Sequence, residues 1–557
     1  MITPLKRTHQ YLLTLVSFVL VAFGQPAWCW WCGLIAAAVG YALFCRVLLC
    51  YPNWKTRFYL AIGWFAAVQL LQLSWFLSHP YYYIYSVYLF LSLILGIQFG
   101  IIALFITPKR ISQISSLIAI ASLWTIFEWM RLFLLSGFSF NPIGLALAGS
   151  TFSLQMASLW GVFGLSFWVM FVNLLGLRAW CFQSNTASKV IWGAAVAFPY
   201  IYGGTHYFIH DQAMAKNAIP FQTVLMQTAF PLEEQMSITN SQQLVAVAQD
   251  EWEKILKMVQ KHKGKQIDLV VFPEIVVPFS AYSCVYSQDV VKAAFSDILG
   301  HEGLQALPHS SSPFALNMTT PEGDQRCFVN NAYWSQAVAN YLQAGILIGL
   351  EDVESHENKM HLYSSALYFQ PQKNKNIVLH PPAARYDKRI LVPMGEYIPF
   401  DWCQTLAASY GVFGSFKCGT EAKVFKANEI PFGVSICYDE TFGDIMRDNK
   451  HKGAALIANL TNDAWYPTLP WQHFEHSRLR TVENGVSLIR ACNTGITGGI
   501  DSLGRNISVL KEETPDSLHL EVPIYTYPTL YSWLGDRFII GLSFLGILLF
   551  FRRWQTM

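Results

Sequence analysis

Two hydrophobic patterns divide this chain. From Thr8 to Gly204 apolar residues persist in seven long runs, at about 8–24, 26–49, 57–78, 82–107, 114–136, 155–177 and 189–204, and an eighth lies at about 534–552. A helix of roughly twenty apolar residues crosses a hydrocarbon core of about 30 Å, so several of these runs are long enough to span a bilayer. The first follows Lys6 and Arg7 but precedes no small-residue cleavage site, and more spans come at once; it reads as a span rather than a signal peptide. Between the seventh and eighth runs the period changes. Thr223 to Met226, Asp268 to Phe272, Gly345 to Gly349, Ser365 to Phe369, Gly433 to Cys437 and Ala454 to Ala458 read as strands, and Ser241 to Lys261 and His473 to Asn484 as amphipathic helices. Strands this apolar need helices over them. The expected architecture is a multi-pass α-helical membrane domain over 1–204, an extracytoplasmic α/β domain over 205–533, and an eighth transmembrane helix with its tail over 534–557.

Charge sharpens the partition. Hydrophobic residues make up 53% of the chain and charged residues 13%, against about 25% charged in ordinary soluble proteins, and a formal charge of +2 gives no electrostatic footprint for nucleic acid. Lys6, Arg7, Arg46, Lys55, Arg57, Lys109, Arg110, Arg178, Lys189, Arg552 and Arg553 fall on one side if the spans alternate, whereas the opposite loops at about 24–29, 79–83 and 137–154 hold no Lys or Arg. The positive-inside rule then puts both termini in the cytoplasm and residues 205–533 outside it. Glu128 and Arg131, three apart in the fifth run, share a helical face; they read as a mutually satisfied pair or as a means of orienting a lipid headgroup.

Eleven cysteines is an odd number, so at least one thiol stays unpaired if the others pair within the chain. Cys437 is the candidate, because the β-branched run Val434 to Ile436 ends abruptly in it, and a thiol where a buried strand breaks into a turn is well seated as a nucleophile. Two distant stretches supply what such a nucleophile needs. Val270-Val271-Phe272-Pro273 ends in Glu274, followed by apolar Ile275, Val276 and Val277; desolvation there raises a carboxylate's pKa until it can accept a thiol proton near neutral pH. Lys388 brings an ammonium that favours thiolate and can hold an oxyanion, and Glu396, eight residues later, keeps that lysine charged and aimed. Each alone has a plainer reading: core filler, loop cap, surface ion pair.

The remaining candidates read as structural. Cys29 and Cys32 form a C-x-x-C among Trp28, Trp30 and Trp31, lack a strand-then-helix context, and are expected to be interfacial packing. Cys284, Cys327, Cys403 and Cys418 can pair in an oxidising compartment, with connectivity open. His473 and His476, three apart with no third ligand, are expected on a solvated helix face. There is no Gly-rich phosphate loop and no G-x-S-x-G elbow, so no metal and no cofactor is expected. Trp465 to Trp471 and Tyr410 to Phe416 have the aromatic character of loops that reach an interface.

Strand-Pro-Glu, then Lys with Gly-Glu-Tyr-x-Pro, then strand-Cys-Tyr, in that order, resembles the Glu-Lys-Cys triad of the carbon–nitrogen hydrolase (nitrilase) superfamily. With apolar runs on both sides, the chain is similar to the membrane-embedded branch of that superfamily, the apolipoprotein N-acyltransferases. The similarity covers nearly the whole chain and includes Glu128-Trp129-Met130-Arg131, Gly137-Phe138, Gly161 to Phe167, Asn462-Asp463-Ala464-Trp465 and Arg490 to Thr497. It implies a nitrilase-like αββα sandwich with Glu274 as general base, Lys388 as stabiliser of thiolate and oxyanion, Cys437 as acyl-accepting nucleophile, and Glu396, Tyr438 and Asp439 in support. Three features depart from the family: Asp439 where Glu is usual, Ser364 after Tyr363 where Asn is frequent, and some seventy residues between Glu274 and Gly345 that read as a lid or a surface insertion.

The resemblance implies a two-step acyl transfer in the bacterial inner membrane, with the catalytic domain on the periplasmic side. A phospholipid donates its acyl chain to Cys437 as a thioester, and the α-amine of a diacylglyceryl-cysteine at the amino terminus of an apolipoprotein accepts it as an amide. A site poor in water protects the thioester. Trp465, Trp471, Glu128 and Arg131 are the expected contacts to lipid. Two rivals use the same residues differently: a membrane-tethered amidase or nitrilase-type hydrolase that releases the acyl group to water, and a membrane scaffold or transporter in which Cys437 has no chemistry.

Overall fold

The computed structural model describes residues 4–182, 186–232, 236, 238–319, 325–356, 359–373, 383–400, 405, 415–468 and 470–555. The apolar runs of the amino-terminal half are helices: Arg7–Ala22, Pro26–Leu48, Trp54–Gln72, Tyr83–Phe105, Ile114–Met130, Ala157–Cys181 and Thr186–Asn217, with Asp536–Gln555 closing the chain. Among the described residues four helical stretches, Pro26–Leu48, Tyr83–Phe105, Ile114–Phe133 and Ala157–Cys181, are long and apolar enough to cross a membrane. In Tyr83–Phe105, Leu95 and Phe99 are buried while Leu89, Phe90 and Leu93 stay exposed, so the helix is apolar on every face, as a lipid-embedded helix must be. One boundary differs from expectation. The helix that follows the seventh run does not stop at 204 but continues to Asn217, because Met214 packs with Leu503 and Tyr527 of the α/β part and gives the extra turns something to bury against.

All six expected strands form, within two six-stranded sheets. The first runs, in spatial order, Asp516–Ile524, Ile219–Gln227, Leu269–Val271, Gly345–His356, Lys359–Phe369 and Ala384–Asp387; the second runs Asn506–Val509, Gly498–Ile500, Ser487–Cys492, Leu456–Thr461, Ile430–Ile436 and Val424–Ala427. The central strands are parallel, with Leu225 opposite Val271 and Val271 opposite Leu347 in one sheet, and Ile436 opposite Leu460 and Leu460 opposite Ala491 in the other. Side chains alternate across each sheet. Phe432, Val434 and Ile436 therefore meet Leu225, Leu269 and Val271 between the sheets. Val270 and Ile346 face the helices Ser241–Gln260 and Asn331–Leu342, while Ile457 and Leu488 face Gly443–His451 and Pro470–Asn484. The result is the four-layer αββα sandwich.

The long stretch after Glu274 holds the kinked helix Gln288–Ala306, a small antiparallel sheet (Tyr286–Ser287, Gln325–Val329, Ala315–Thr319) and the helix Asn331–Leu342, in which every residue is buried. Trp334 of that helix stacks on Trp252 at 5.3 Å. Much of the stretch thus belongs to the outer helical layer. One close approach positions the site: a Cβ on Gly349 would lie 2.4 Å from the Pro273 carbonyl oxygen and 2.6 Å from Glu274 Cα. Gly349→Ala is expected to cost about 1–3 kcal/mol by overpacking, read as a lowered Tm in detergent; an unchanged Tm would mean that the Pro273–Glu274 turn is free to move away.

Candidate active site

Each chemistry-bearing side chain sits where a strand ends. Leu269–Val271 runs into Phe272-Pro273-Glu274, Ala384–Asp387 into Lys388, and Ile430–Ile436 into Cys437. Because the central strands are parallel, these ends open at one edge, and residues 114 positions apart meet: Lys388 Nζ donates to Glu274 Oε1 at 2.9 Å. The same ammonium donates to Glu396 Oε1, and Glu396 Oε2 accepts the Val392 N–H at 2.9 Å, closing the turn after the lysine on itself. Ser364 Oγ, at the position where the family often has Asn, donates to Glu274 Oε1 at 3.3 Å. The Glu274 side chain also hydrogen-bonds Cys437. Lys388 is fully buried and Glu274 nearly so, while Cys437 is half-buried. All four residues singled out by strand-end reasoning are brought together.

Cys437 takes a left-handed backbone, φ +46°, before the short helical turn Cys437–Thr441. That conformation is costly for a residue with a Cβ and needs surrounding structure to hold it. Asp439 supplies the hold. Its Oδ2 accepts from Ile436 N at 3.1 Å and Tyr386 Oη at 2.7 Å, and its Oδ1 from Ile390 N at 2.8 Å and Arg389 N at 3.2 Å. One fully buried carboxylate thereby ties the turn after the cysteine strand to the turn after the lysine strand. Tyr438 points the other way: its hydroxyl donates to the Gly137 carbonyl at 2.9 Å and its ring stacks on Phe140, so the turn is seated on the membrane half.

The electrostatics follow from burial. Burial alone would pull the Lys388 ammonium down, but Glu274 and Glu396 outweigh it and hold its pKa well above the ordinary lysine value. Burial pushes the Glu274 carboxyl up, opposed by Lys388. The Cys437 thiol is pushed well up, by burial first and the Glu274 charge second, more than Lys388 pulls it down. Burial thus favours the neutral thiol over the thiolate, with the Glu274 carboxylate hydrogen-bonded to it.

Other expectations resolve differently. His473 and His476 are buried rather than solvated, because the Pro470–Asn484 helix lies between the second sheet and the membrane half, where Phe140 meets His476 edge-on at 5.3 Å. His473 joins a buried ion network that strand-end reasoning missed: Arg490 Nε donates to Glu440 Oε1 at 3.1 Å, Arg490 Nη2 to Asp463 Oδ2 at 3.1 Å, and His473 Nδ1 lies 2.8 Å from Asp463 Oδ1. The signal was present: an arginine inside the apolar run Ser487–Cys492 cannot be buried without carboxylate partners. Among the described residues no group of three His, Cys, Asp or Glu side chains is placed to hold a metal ion.

Glu128 and Arg131 take separate partners. Glu128 Oε1 accepts from Trp124 Nε1 and Ile143 N, both at 2.9 Å, and Arg131 Nε donates to Gln98 Oε1 at 2.9 Å. Both line a small cavity with Thr441, Phe442 and Arg480. Trp465 stacks on His79 at 5.3 Å, whereas Trp471 packs on Phe474 at 5.5 Å inside its own domain. Of the second aromatic arm, 410–414 lie outside the described residues, as does Cys403; Cys284, Cys327 and Cys418 carry free thiols.

Burial would raise the Asp463 pKa, but Arg490 and His473 outweigh it and hold it below the usual carboxylate range. A depressed folded pKa contributes stability that is complete above the unfolded value of about 3.9 and is lost as pH falls through the folded one. Asp463→Asn is expected to cost about 3–5 kcal/mol at neutral pH by leaving Arg490 uncompensated, and to flatten the acid limb of a Tm-against-pH curve; an unaltered limb would assign acid lability to other groups.

Buried Glu, Lys and Cys converging at strand ends of an αββα sandwich define a carbon–nitrogen hydrolase domain, and residues 235–514 match the carbon–nitrogen hydrolase family. Residues 17–175 match the apolipoprotein N-acyltransferase N-terminal domain. The apolipoprotein N-acyltransferase of Chlamydia caviae is 33% identical over 96% of this chain and 95% of its own length, and that of Chlamydia pneumoniae 31% identical over 96% and 95%. A solved CN-hydrolase superfamily protein of Xanthomonas campestris aligns at 16% identity and a TM-score of 0.34, covering 58% of this chain and 97% of that one. The chain belongs to the apolipoprotein N-acyltransferase family, and is a bacterial membrane acyltransferase built on a nitrilase-like domain.

Proposed function

We propose that this protein moves a fatty acyl chain from a phospholipid, through a thioester on Cys437, to the α-amino group of the diacylglyceryl-cysteine that begins an apolipoprotein. The observation that carries this reading is the contact of one thiol, one buried carboxylate and one ammonium, beside a turn seated on the membrane half through Tyr438 and Gly137. Glu274 takes the Cys437 proton as the sulfur attacks the ester carbonyl, and Lys388 holds the oxyanion. The lysophospholipid oxygen leaves with that proton. The acceptor amine then attacks the thioester, gives a proton to Glu274, and the sulfur departs to regain it. Only protons and one acyl group change hands, so neither step calls for a cofactor.

The same reading places the protein in the inner membrane, with 1–204 contributing seven transmembrane helices, 205–533 facing the periplasm, 534–557 forming the eighth helix and tail, and both termini in the cytoplasm. Lys and Arg confined to alternate loops support that orientation. Intact mass spectrometry of protein purified from membranes is expected to find an acyl adduct on Cys437, removable by hydroxylamine, and Glu274→Gln is expected to slow its formation about a hundred- to ten-thousandfold. No adduct under any lipid condition would overturn the thioester route. Free fatty acid in place of N-acylated peptide would move the protein to the tethered hydrolases.

Trp465 rests on the membrane half through His79 and Trp471 packs on Phe474 within its own domain, so the two offer a matched pair. Trp465→Ala is expected to slow turnover of lipid substrates more than of a short soluble thioester, and Trp471→Ala to slow both alike. Equal effects of Trp465→Ala on both substrates would remove that residue from lipid handling.

A further inference from the structure

The Cys29-x-x-Cys32 pair takes no part in the acyl-transfer site, and its sequence context suggests packing alone. Its local geometry says otherwise. The Pro26–Ile35 helix is broken at Cys29, whose backbone is extended at φ −153°, ψ 93°. Helical backbone resumes beyond this residue and runs on to Leu48. Cys29 thus occupies the N-cap of a long helix, and the Cys32 backbone N–H, three residues on, donates to Cys29 Sγ at 3.3 Å, the bond a capping side chain makes. The Cys32 thiol hydrogen-bonds the same sulfur, and both thiols are free.

The two cysteines are unequal in access. Cys29 is half-buried, whereas Cys32 is 4% exposed. Trp30 and Trp31 beside them are 58% and 52% exposed, the character of an aromatic belt at a membrane–water boundary. On the other side the helix start is closed off: a Cβ on Gly149 would lie 2.6 Å from the Trp30 carbonyl oxygen, and one on Gly33 would lie 2.8 Å from that of Gly24. One sulfur is reachable and its neighbour is shielded behind it, the arrangement that thiol–disulfide exchange requires.

We propose that Cys29 and Cys32 are a redox-active dithiol at the membrane boundary, which closes to a disulfide by exchange with a dialkyl disulfide. Cys29 loses its proton and its sulfur attacks one sulfur of the oxidant; a mixed disulfide forms and one thiolate leaves, taking up a proton. Cys32, losing its own proton, attacks the Cys29 sulfur and expels the second thiolate, which is protonated in turn. Two protein thiols are oxidised and one disulfide is reduced to two thiols. The new bond links the N-cap to the first turn of the helix that runs on to Leu48.

The test uses the full-length protein in membranes and in detergent, with glutathione disulfide as the oxidant, acid quenching, alkylation and tryptic mass mapping. The peptide from Thr8 to Arg46 holds Cys29, Cys32 and Cys45. It is expected to become about 2 Da lighter with Cys45 alone alkylated, and dithiothreitol is expected to restore three alkylations. Cys32→Ser should trap the glutathione adduct on Cys29, and Cys29→Ser should take up no glutathione at Cys32; serine at 29 still caps the helix, and serine at 32 keeps the backbone N–H that donates to the cap, so both variants keep the local fold. Three alkylations in the wild type after oxidation, or an adduct on Cys32 in the Cys29→Ser protein, would overturn the proposal.

Discussion

An ammonium with no access to water, held between two carboxylates, is the constraint around which the outer domain is built. A buried lysine is tolerated only while Glu274 and Glu396 flank it, and those carboxylates are tolerated only while the lysine is there. The three must therefore arrive together, which forces the Pro273–Glu274 turn against the Gly349 backbone and folds Glu396 back onto Val392. The thiol beside them needs no such compensation, since burial keeps it neutral.

The residues after Cys437 divide the work of holding it. Tyr438 reaches Gly137 and Phe140 in the membrane half; Asp439 reaches the turn after the lysine strand; Glu440 reaches Arg490, and Arg480 donates to its carbonyl at 3.0 Å. Three successive side chains thus anchor one strained residue to the membrane domain, the turn after the Ala384–Asp387 strand and the second sheet. Asp439 is the clearest case. Its four donors come from the ends of two strands, Ile436 and Tyr386, and from the turn after the second, Arg389 and Ile390, so the acid is structural, and its shortness is suited to donors drawn in around it.

The contact with the membrane half is polar as well as apolar. Ser139 and Thr441 hydroxyls lie 2.6 Å apart, the Val162 N–H donates to Glu483 at 2.8 Å, and Tyr83 Oη donates to the Met394 carbonyl at 3.0 Å within the turn that carries Glu396. Directional bonds of this kind set an orientation that greasy contact alone leaves loose. The lysine turn is pinned to Tyr83 and the cysteine turn to Gly137, so each is fixed to a different part of the membrane half.

The amino-acid sequence alone determined the division into apolar and α/β parts, six of the strands, and the strand-end positions of Glu274, Lys388 and Cys437. Each of these depends on local pattern: a period of two, a period near 3.6, or a polar residue that stops an apolar run. Only the tertiary structure decided that Asp439 is a cross-link, that His473 and His476 are buried, that Glu128 and Arg131 look to Trp124, Ile143 and Gln98, and that Cys29 caps a helix. It also decided the short outer strands such as Val424–Ala427 and Gly498–Ile500. A side chain's partners come from segments folded onto it from far along the chain, and spacing along one segment carries no record of them.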